Sequence, residues 1–253
     1  MPGVIPPGCL RGVLLDYGNV IGAVDCATLT ADVREAGGAG DLEATLAVEP
    51  EAYRAHDRAM YGGAGHARAW DVMLRTFVDA AWGSAVDGTE ARRAAVVAEL
   101  WRRQPERNLW RRIIPEARDL IGDLNEAGVP LAIVSNSEGR MVELLTELGL
   151  VDSFTAIVDS GVAGVSKPDP RIFQIAAERL GLPLDRLVHV GDSEAADVRG
   201  ALAAGAYAIR FDGVVRNPDP TAAHAQARSY PELRASLAEG LGLTTLAPSP
   251  ARW

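Results

Sequence analysis

Between residues 115 and 211, short apolar runs alternate with amphipathic segments, and this alternation restricts the fold more than any other feature of the sequence. The apolar runs are continuous, which is typical of parallel strands covered on both faces. Together with one run near the N-terminus, they predict strands over residues 12–16, 130–135, 155–158, 186–191 and 206–211. The segments between them predict helices over residues 115–127, 139–148, 170–180 and 195–204, each followed by a glycine. The sequence therefore predicts an α/β fold with a doubly wound, Rossmann-like parallel sheet.

The segment between the first predicted strand and residue 115 carries no strand pattern. Apolar residues recur at helical spacing over residues 66–82, and a second such pattern covers residues 89–103. An all-helical insertion at this point lies at the carboxyl edge of the sheet, where open α/β sheets place their sites. The apolar stripe of residues 66–82 would suit a core and a dimer interface equally well, so it predicts no oligomeric state.

These patterns divide the chain into two predicted domains. Residues 1–20 and 114–242 are predicted to form the α/β core, and residues 21–113 the helical insertion. Within the core, a weak strand and a helix are expected around residues 227–239. Residues 243–253 are expected to be a disordered tail.

Composition excludes several classes of partner. The net charge of the 253 residues is −9 and basic residues form no cluster, which argues against nucleic acid as a partner. No apolar run approaches the ~20 residues that a membrane-spanning helix needs. The N-terminus lacks the basic and apolar regions of a signal peptide, so we expect a cytoplasmic protein. Cys9 and Cys26 are too few for a disulfide framework.

Polar residues stand at or just after the ends of the predicted strands. Asp16, Ser135 and Asp192 each end or directly follow a strand, and Lys167 follows the strand over residues 155–158. Asp197 comes five residues after Asp192, and Lys167 is the single lysine among 25 basic residues. In a sheet whose central strands are the second, first and fourth, these side chains converge at the topological switch point.

Each of these residues taken alone would fit a simpler structural role. Aspartate is a favoured helix N-cap, Ser135 suits a turn, and a lone lysine is usually a surface charge. Because four such residues occur together at strand ends and loops, the pattern favours a common site.

The four motifs resemble, in order and spacing, those of the haloacid dehalogenase superfamily of phosphohydrolases, over roughly residues 10–235. The helical insertion resembles the cap of the first class in that superfamily. The stretch Asp16-Tyr17-Gly18-Asn19-Val20 is similar to a branch that includes bacterial sugar-1-phosphate phosphatases. The resemblance implies Mg²⁺-dependent hydrolysis of a small phosphorylated metabolite, with sugar phosphates among the candidate substrates.

The resemblance also implies a role for each matching residue. Asp16 would attack phosphorus and form an aspartyl-phosphate intermediate. Asp16, Asp192 and the backbone carbonyl of Gly18 would hold Mg²⁺, which prefers oxygen ligands.

The remaining residues would bind and neutralise the phosphoryl group. Ser135 and Asn136 would bind phosphate oxygens, and Lys167 would neutralise the transferring group. Asp197 would orient Lys167 or a metal-bound water from the second coordination shell.

The sequence departs from this family at Gly18, where most of its phosphatases carry a second aspartate as general acid and base. A leaving group that needs little protonation, such as an anomeric oxygen, would account for the departure. So would a proton supplied from the insertion, with Asp25, His56 or His66 as candidates.

Two further functions stay open at the level of sequence. A catalytically impaired relative would bind a phosphorylated ligand or act as a regulatory protein. A haloacid dehalogenase would need no Mg²⁺, and it usually carries tyrosine at the position of Gly18. The metal-binding pattern of Asp192 and Asp197 disfavours the dehalogenase.

Overall fold

The computed structural model describes residues 4–63, 66–84 and 90–246, without the side chains of Tyr61 and His66. The chain divides into two compact units. One unit comprises residues 1–23 and 113–253, and the other comprises residues 24–112. The function of the second unit as a cap stays a prediction.

The first unit is built on a parallel six-stranded sheet. Two short strands elsewhere in the chain form a separate two-stranded sheet. The strands in chain order are β1 (Gly12–Leu15), β2 (Gly22–Ala23), β3 (Arg112–Ile113), β4 (Leu131–Ser135), β5 (Ala156–Asp159), β6 (Leu187–Gly191), β7 (Tyr207–Phe211) and β8 (Ala225–Ala227). The order in the large sheet is β5-β4-β1-β6-β7-β8. The expected centre of the sheet, formed by the second, first and fourth predicted strands, is confirmed as β4, β1 and β6, and β8 adds a sixth strand at one edge.

Eleven helices occur among the described residues. In chain order they are α1 (Cys26–Glu35), α2 (Leu42–Ala47), α3 (Glu49–Tyr61), α4 (His66–Trp82), α5 (Glu90–Arg103), α6 (Pro115–Glu126), α7 (Met141–Glu147), α8 (Ser160–Ala163), α9 (Pro170–Leu180), α10 (Arg199–Ala204) and α11 (Tyr230–Leu241). None of these helices is both long and apolar enough to cross a membrane.

Two of the predicted helices begin later than expected, for reasons of local geometry. The helix predicted from residue 139 begins at Met141, because Gly139 has a left-handed φ of 93°. The helix predicted from residue 195 begins at Arg199, because residues 194–198 form a turn of π-helix instead. Such turns are frequent at functional sites.

A hydrophobic core lies on one face of the sheet. Leu14 of β1 and Val134 of β4 are fully buried there beside Phe173 of α9. Proline opens α9 at its first turn, where a missing N–H costs nothing, and Gly181 ends the helix in the left-handed conformation. The helix α6 likewise begins with a proline, Pro115.

Helices joined by loops and turns form the second unit over its described residues, apart from the first residue of β3. The predicted helix over residues 66–82 is confirmed as α4, and the one predicted over residues 89–103 is confirmed as α5, with residue 89 outside the described residues. Aromatic rings pack inside this unit: Tyr53 stacks on Trp110 with ring centroids 5.3 Å apart, and Trp70 lies 5.4 Å from Trp101.

Candidate active site

Asp16 follows β1 directly and lies at the carboxyl edge of the sheet. Its backbone N–H donates to the carbonyl of Val190 on β6 at 2.9 Å, so the pairing of the two strands fixes its position. The strand β1 ends at Leu15, one residue before the predicted end at residue 16. The carboxyl group of Asp16 is largely shielded from solvent.

A buried lysine joins Asp16 to a second carboxylate. The Lys167 Nζ lies 2.7 Å from Asp16 Oδ1 and 2.6 Å from Asp197 Oδ1. The backbone of Lys167 is held by the Asn136 side chain, whose Oδ1 accepts from the Lys167 N–H at 2.8 Å. The Asn136 Nδ2 in turn donates to the Lys167 carbonyl at 3.0 Å. The loop after β4 therefore fixes the position of Lys167, the single lysine of the chain.

Asp197 receives hydrogen bonds on both of its oxygens. Besides Lys167, the His189 Nε2 lies 2.8 Å from Oδ1, and the Ser193 N–H donates to Oδ2 at 3.0 Å. The π-helical turn brings this carboxylate against Gly191, where a Cβ would stand 2.1 Å from the Asp197 Cγ. Position 191 therefore requires glycine. Because three donors engage the two oxygens of Asp197, this residue suits the predicted positioning role better than that of a metal ligand.

A residue of the turn that follows Asp16 binds the carboxylate of Asp192. The Asn19 Nδ2 donates to Asp192 Oδ2 at 2.7 Å. Asn19 stands in the left-handed region, with φ of 57°, inside a turn that a short bridge between Gly18 and Gly22 closes. A Cβ at Gly22 would lie 2.7 Å from the Tyr17 ring, so the close approach there requires glycine.

Three carboxylates meet in this region: Asp16, Asp192 and Asp197 each offer one oxygen, and these three atoms lie within 4.8 Å of one another. The Lys167 ammonium contacts two of them, Asp16 and Asp197. Burial raises the pKa of Asp16 above its ordinary value, and Lys167 opposes this shift without cancelling it. Burial would lower the pKa of Lys167, but the carboxylates of Asp16 and Asp197 raise it above its ordinary value.

Burial would likewise raise the pKa of Asp197, but Lys167 and His189 hold it below its ordinary value. The Lys167 ammonium therefore serves two carboxylates at once, those of Asp16 and Asp197. The three carboxylate oxygens of the cluster are ligands that a divalent cation prefers.

Ser135 and Asn136 stand where the sequence predicts them, at the end of β4 and just after it. Ser135 is buried and pairs across the sheet with Asp159 of β5. The Asp159 carboxylate organises the loop after β4: its Oδ1 accepts from the N–H of Gly139 at 3.0 Å, and its Oδ2 accepts from that of Met141 at 3.0 Å. Oδ1 also accepts from the N–H of Gly161 at 2.9 Å.

The candidate acids of the insertion belong to the other unit. Asp25 caps α1, accepting from the N–H and the hydroxyl of Thr28 at 3.1 and 2.7 Å. His56 is half-buried on α3. His66 begins α4, and its side chain lies outside the described residues. Their role as acids stays a prediction.

Sequence reasoning missed His189 and Asp159. His189 lies inside an apolar strand, where a histidine ordinarily belongs to the core, and only its alternation with Val188 and Val190 places it on the Asp197 side. Asp159 directly follows a predicted strand, which is the same signal that identified Asp16 and Asp192.

Comparison with known proteins identifies the family. Residues 20–205 match the family model described as a haloacid dehalogenase-like hydrolase. Because this match covers about three quarters of the chain, the protein belongs to that family. Asp16 and Gly18 lie just before the matched residues, so their assignment depends on the strand geometry and the contacts described above.

Among characterised proteins, the chain is 34% identical to the phosphoserine phosphatase of Thermus thermophilus over 136 residues, which cover 53% of each protein. The chain thus spans about half the length of that relative. It is 30% identical over 196 residues to haloacid dehalogenase-like hydrolase domain-containing protein 3 of Homo sapiens, covering 69% of this chain and 75% of the human protein.

A solved structure shows the same fold. The HAD-hydrolase YfnB from Bacillus subtilis, bound to magnesium, superposes with a TM-score of 0.65. The alignment covers 90% of this chain and 98% of the other, at 22% sequence identity.

Proposed function

We propose that this protein is a Mg²⁺-dependent phosphatase that hydrolyses a small phosphorylated metabolite through an aspartyl-phosphate on Asp16. The observation that carries the proposal is the buried contact of Lys167 with Asp16 and Asp197, with Asp192 in the same cluster. Membership of a hydrolase family and similarity to a protein named as a phosphatase support it.

The residues present fit a divalent cation. Three carboxylates each offer an oxygen within 4.8 Å of the others, and the Asn19 Oδ1, which is buried, has no hydrogen-bond partner in the part of the chain that is described. Asp16, Asp192 and the Gly18 carbonyl would hold Mg²⁺, which takes few carboxylates and keeps several waters. The ion would neutralise charge on the phosphoryl group and keep Asp16 ionised at neutral pH.

Asp16 would act as the nucleophile. A carboxylate oxygen of Asp16 attacks phosphorus, the bond from phosphorus to the ester oxygen breaks, and the departing alkoxide takes a proton. Water then hydrolyses the acyl phosphate, which restores the carboxylate and releases inorganic phosphate.

The surrounding groups would stabilise charge on the transferring phosphoryl group. Lys167 lies against Asp16 and would contact a phosphoryl oxygen, while the Ser135 hydroxyl and the Asn136 N–H would bind others. The Asn136 side chain is engaged with the Lys167 backbone, so we assign its substrate contact to the backbone N–H alone. Asp197 would hold the Lys167 ammonium in place, from a position that His189 and Ser193 secure.

Gly18 offers no group that could protonate the departing oxygen. We infer a substrate whose leaving group needs little protonation, such as the anomeric oxygen of a sugar phosphate. The engagement of Asp25 in the cap of α1 supports such a substrate over a proton supplied by that residue.

The test is release of inorganic phosphate from sugar phosphates, nucleotides and an aryl phosphate, with Mg²⁺ and with chelator. Asp16→Asn is nearly isosteric and serves as the blank. We expect release that requires Mg²⁺, disappears in Asp16→Asn and favours anomeric and aryl esters.

Different results would identify the alternative functions. Halide release from a 2-haloacid in the presence of chelator would replace the proposal with a dehalogenase. No release from any ester, together with thermal shifts on adding phosphorylated ligands, would replace it with a binding protein.

A further inference from the structure

Asn19 makes a contact with Asp192 that links two chain segments 173 residues apart. It is 5% exposed, and its Nδ2 lies 2.7 Å from Asp192 Oδ2. Its N–H donates to the Gly22 carbonyl at 2.8 Å, which anchors the residue in the turn after Asp16. Asn19 therefore belongs to the site, although no catalytic role requires it.

The identity of the contacting atoms determines the orientation of the side-chain amide. An ionised carboxylate only accepts hydrogen bonds, so the amide must present its nitrogen to Asp192. Its oxygen then points elsewhere and can only accept. The Asn19 Oδ1 is buried and, among the described residues, has no hydrogen-bond partner. A buried acceptor without a donor is costly, which indicates that a donor from outside the protein, such as a water, occupies that place.

The backbone conformation of Asn19 also indicates that its side chain has a role in the site. Its φ of 57° is the only positive φ of a non-glycine residue in the described part of the chain. Asparagine tolerates this region better than most residues but at a higher cost than glycine. Glycine would be the easier residue for the turn, so the side chain has to provide a compensating interaction.

We propose that Asn19 positions the divalent-cation centre: its Nδ2 fixes the Asp192 carboxylate, and its Oδ1 accepts a hydrogen bond from a water of the ion's shell. The inference rests on the proposed function. Partners of this kind orient a ligand before the ion arrives, and their loss typically lowers metal affinity by about 10–100-fold.

The test compares the wild type with Asn19→Gly, because glycine adopts a positive φ without strain and removes only the side chain. Asn217→Gly is the matched control, since the Asn217 side chain accepts from the N–H of Asp219, at 3.0 Å in the exposed loop after β7. Calorimetric titration with Mn²⁺ and with Mg²⁺ measures affinity, and thermal melting in chelator measures stability. Phosphate release against Mg²⁺ concentration separates activation from kcat.

We expect Asn19→Gly to bind Mn²⁺ about 10–100-fold more weakly than the wild type, and Asn217→Gly to bind it unchanged. The melting temperature of Asn19→Gly in chelator should fall by at most roughly 3–12 °C, because one charge-assisted hydrogen bond is lost. The Mg²⁺ concentration for half-maximal activity should rise with little change in kcat. Unchanged Mn²⁺ affinity in Asn19→Gly would overturn the inference and leave the phosphatase standing. A wild type that binds neither ion would overturn both.

Discussion

Replacing the Asp159 carboxylate by an amide should lower the stability of the loop after β4 by an amount that can be worked out from its hydrogen bonds. It accepts three backbone N–H groups, from Gly139, Met141 and Gly161, and it is buried. Asp159→Asn retains the shape of the side chain but exchanges one oxygen for an NH₂ group. The amide oxygen can keep the two donors at Oδ1, so the NH₂ group then faces the N–H of Met141.

The cost of the substitution is one charge-assisted hydrogen bond plus a buried N–H without acceptor. Bonds to charged groups contribute about 1.5–3 kcal/mol each, and we assign this amount to the loss at Met141. The melting temperature should fall by roughly 3–12 °C, because 1 kcal/mol corresponds to about 2–4 °C in chains of this size. The Met141 amide should exchange its hydrogen roughly 10–100-fold faster, since each factor of ten is about 1.4 kcal/mol.

Hydrogen exchange by mass spectrometry on peptides spanning residues 137–141, with thermal melting in parallel, measures both effects. Asp152→Asn is the matched control, because that exposed side chain lies in the short turn before β5 and should change stability by less than about 0.5 kcal/mol. Unchanged exchange at Met141 in Asp159→Asn would refute the reasoning, because some other group would then hold the loop after β4.

Four further predictions concern other positions. Burial raises the pKa of the Cys26 thiol to about 12, so at pH 8 only about one molecule in 10⁴ carries the thiolate; mass spectrometry should find iodoacetamide labelling of Cys26 far slower in the folded than in the denatured chain. Gly191→Ala should lower the melting temperature by roughly 2–12 °C, because its Cβ would meet Asp197 at 2.1 Å. Gly122→Ala should raise it by roughly 1–4 °C, since that position in α6 has open space and no positive φ. Gly18→Asp should extend phosphate release to simple alkyl phosphates, and an unchanged substrate range would show that the proton comes from elsewhere.

The strands and their order could be predicted because short, continuous apolar runs bounded by turn residues are typical of strands buried on both faces. The strands containing Leu14, Ile133 and Val190 are buried along their whole length and lie side by side. The sequence predicts β8 only weakly, because residues 225–227 read Ala-Gln-Ala and show no apolar run.

The contacts that complete the site could not be read from local sequence. Asn19 and Asp192 meet only after β1 and β6 pair, and a hydrogen bond across 173 residues leaves no periodic signal. The π-helical turn depends on two N–H groups, those of Asp197 and Val198, sharing the Ser193 carbonyl. A helical pattern over the same residues predicts an ordinary α-helix. Irregular backbone of this kind departs from local propensity because it serves the site.

The charges of the site bear on the choice between an enzyme and a silent binding protein. Burying carboxylates beyond the available positive charge destabilises a fold, and apolar substitutes for buried ion pairs are often neutral or stabilising. A protein that only binds a phosphorylated ligand would gain from extra cations and would lose from Asp16 and Asp192, since both repel phosphate. Retaining these carboxylates beside Lys167 makes sense where a cation joins them and one of them attacks the phosphorus. The presence of Asp16 and Asp192 beside Lys167 therefore favours catalysis over binding, and this argument does not depend on the missing carboxylate at position 18.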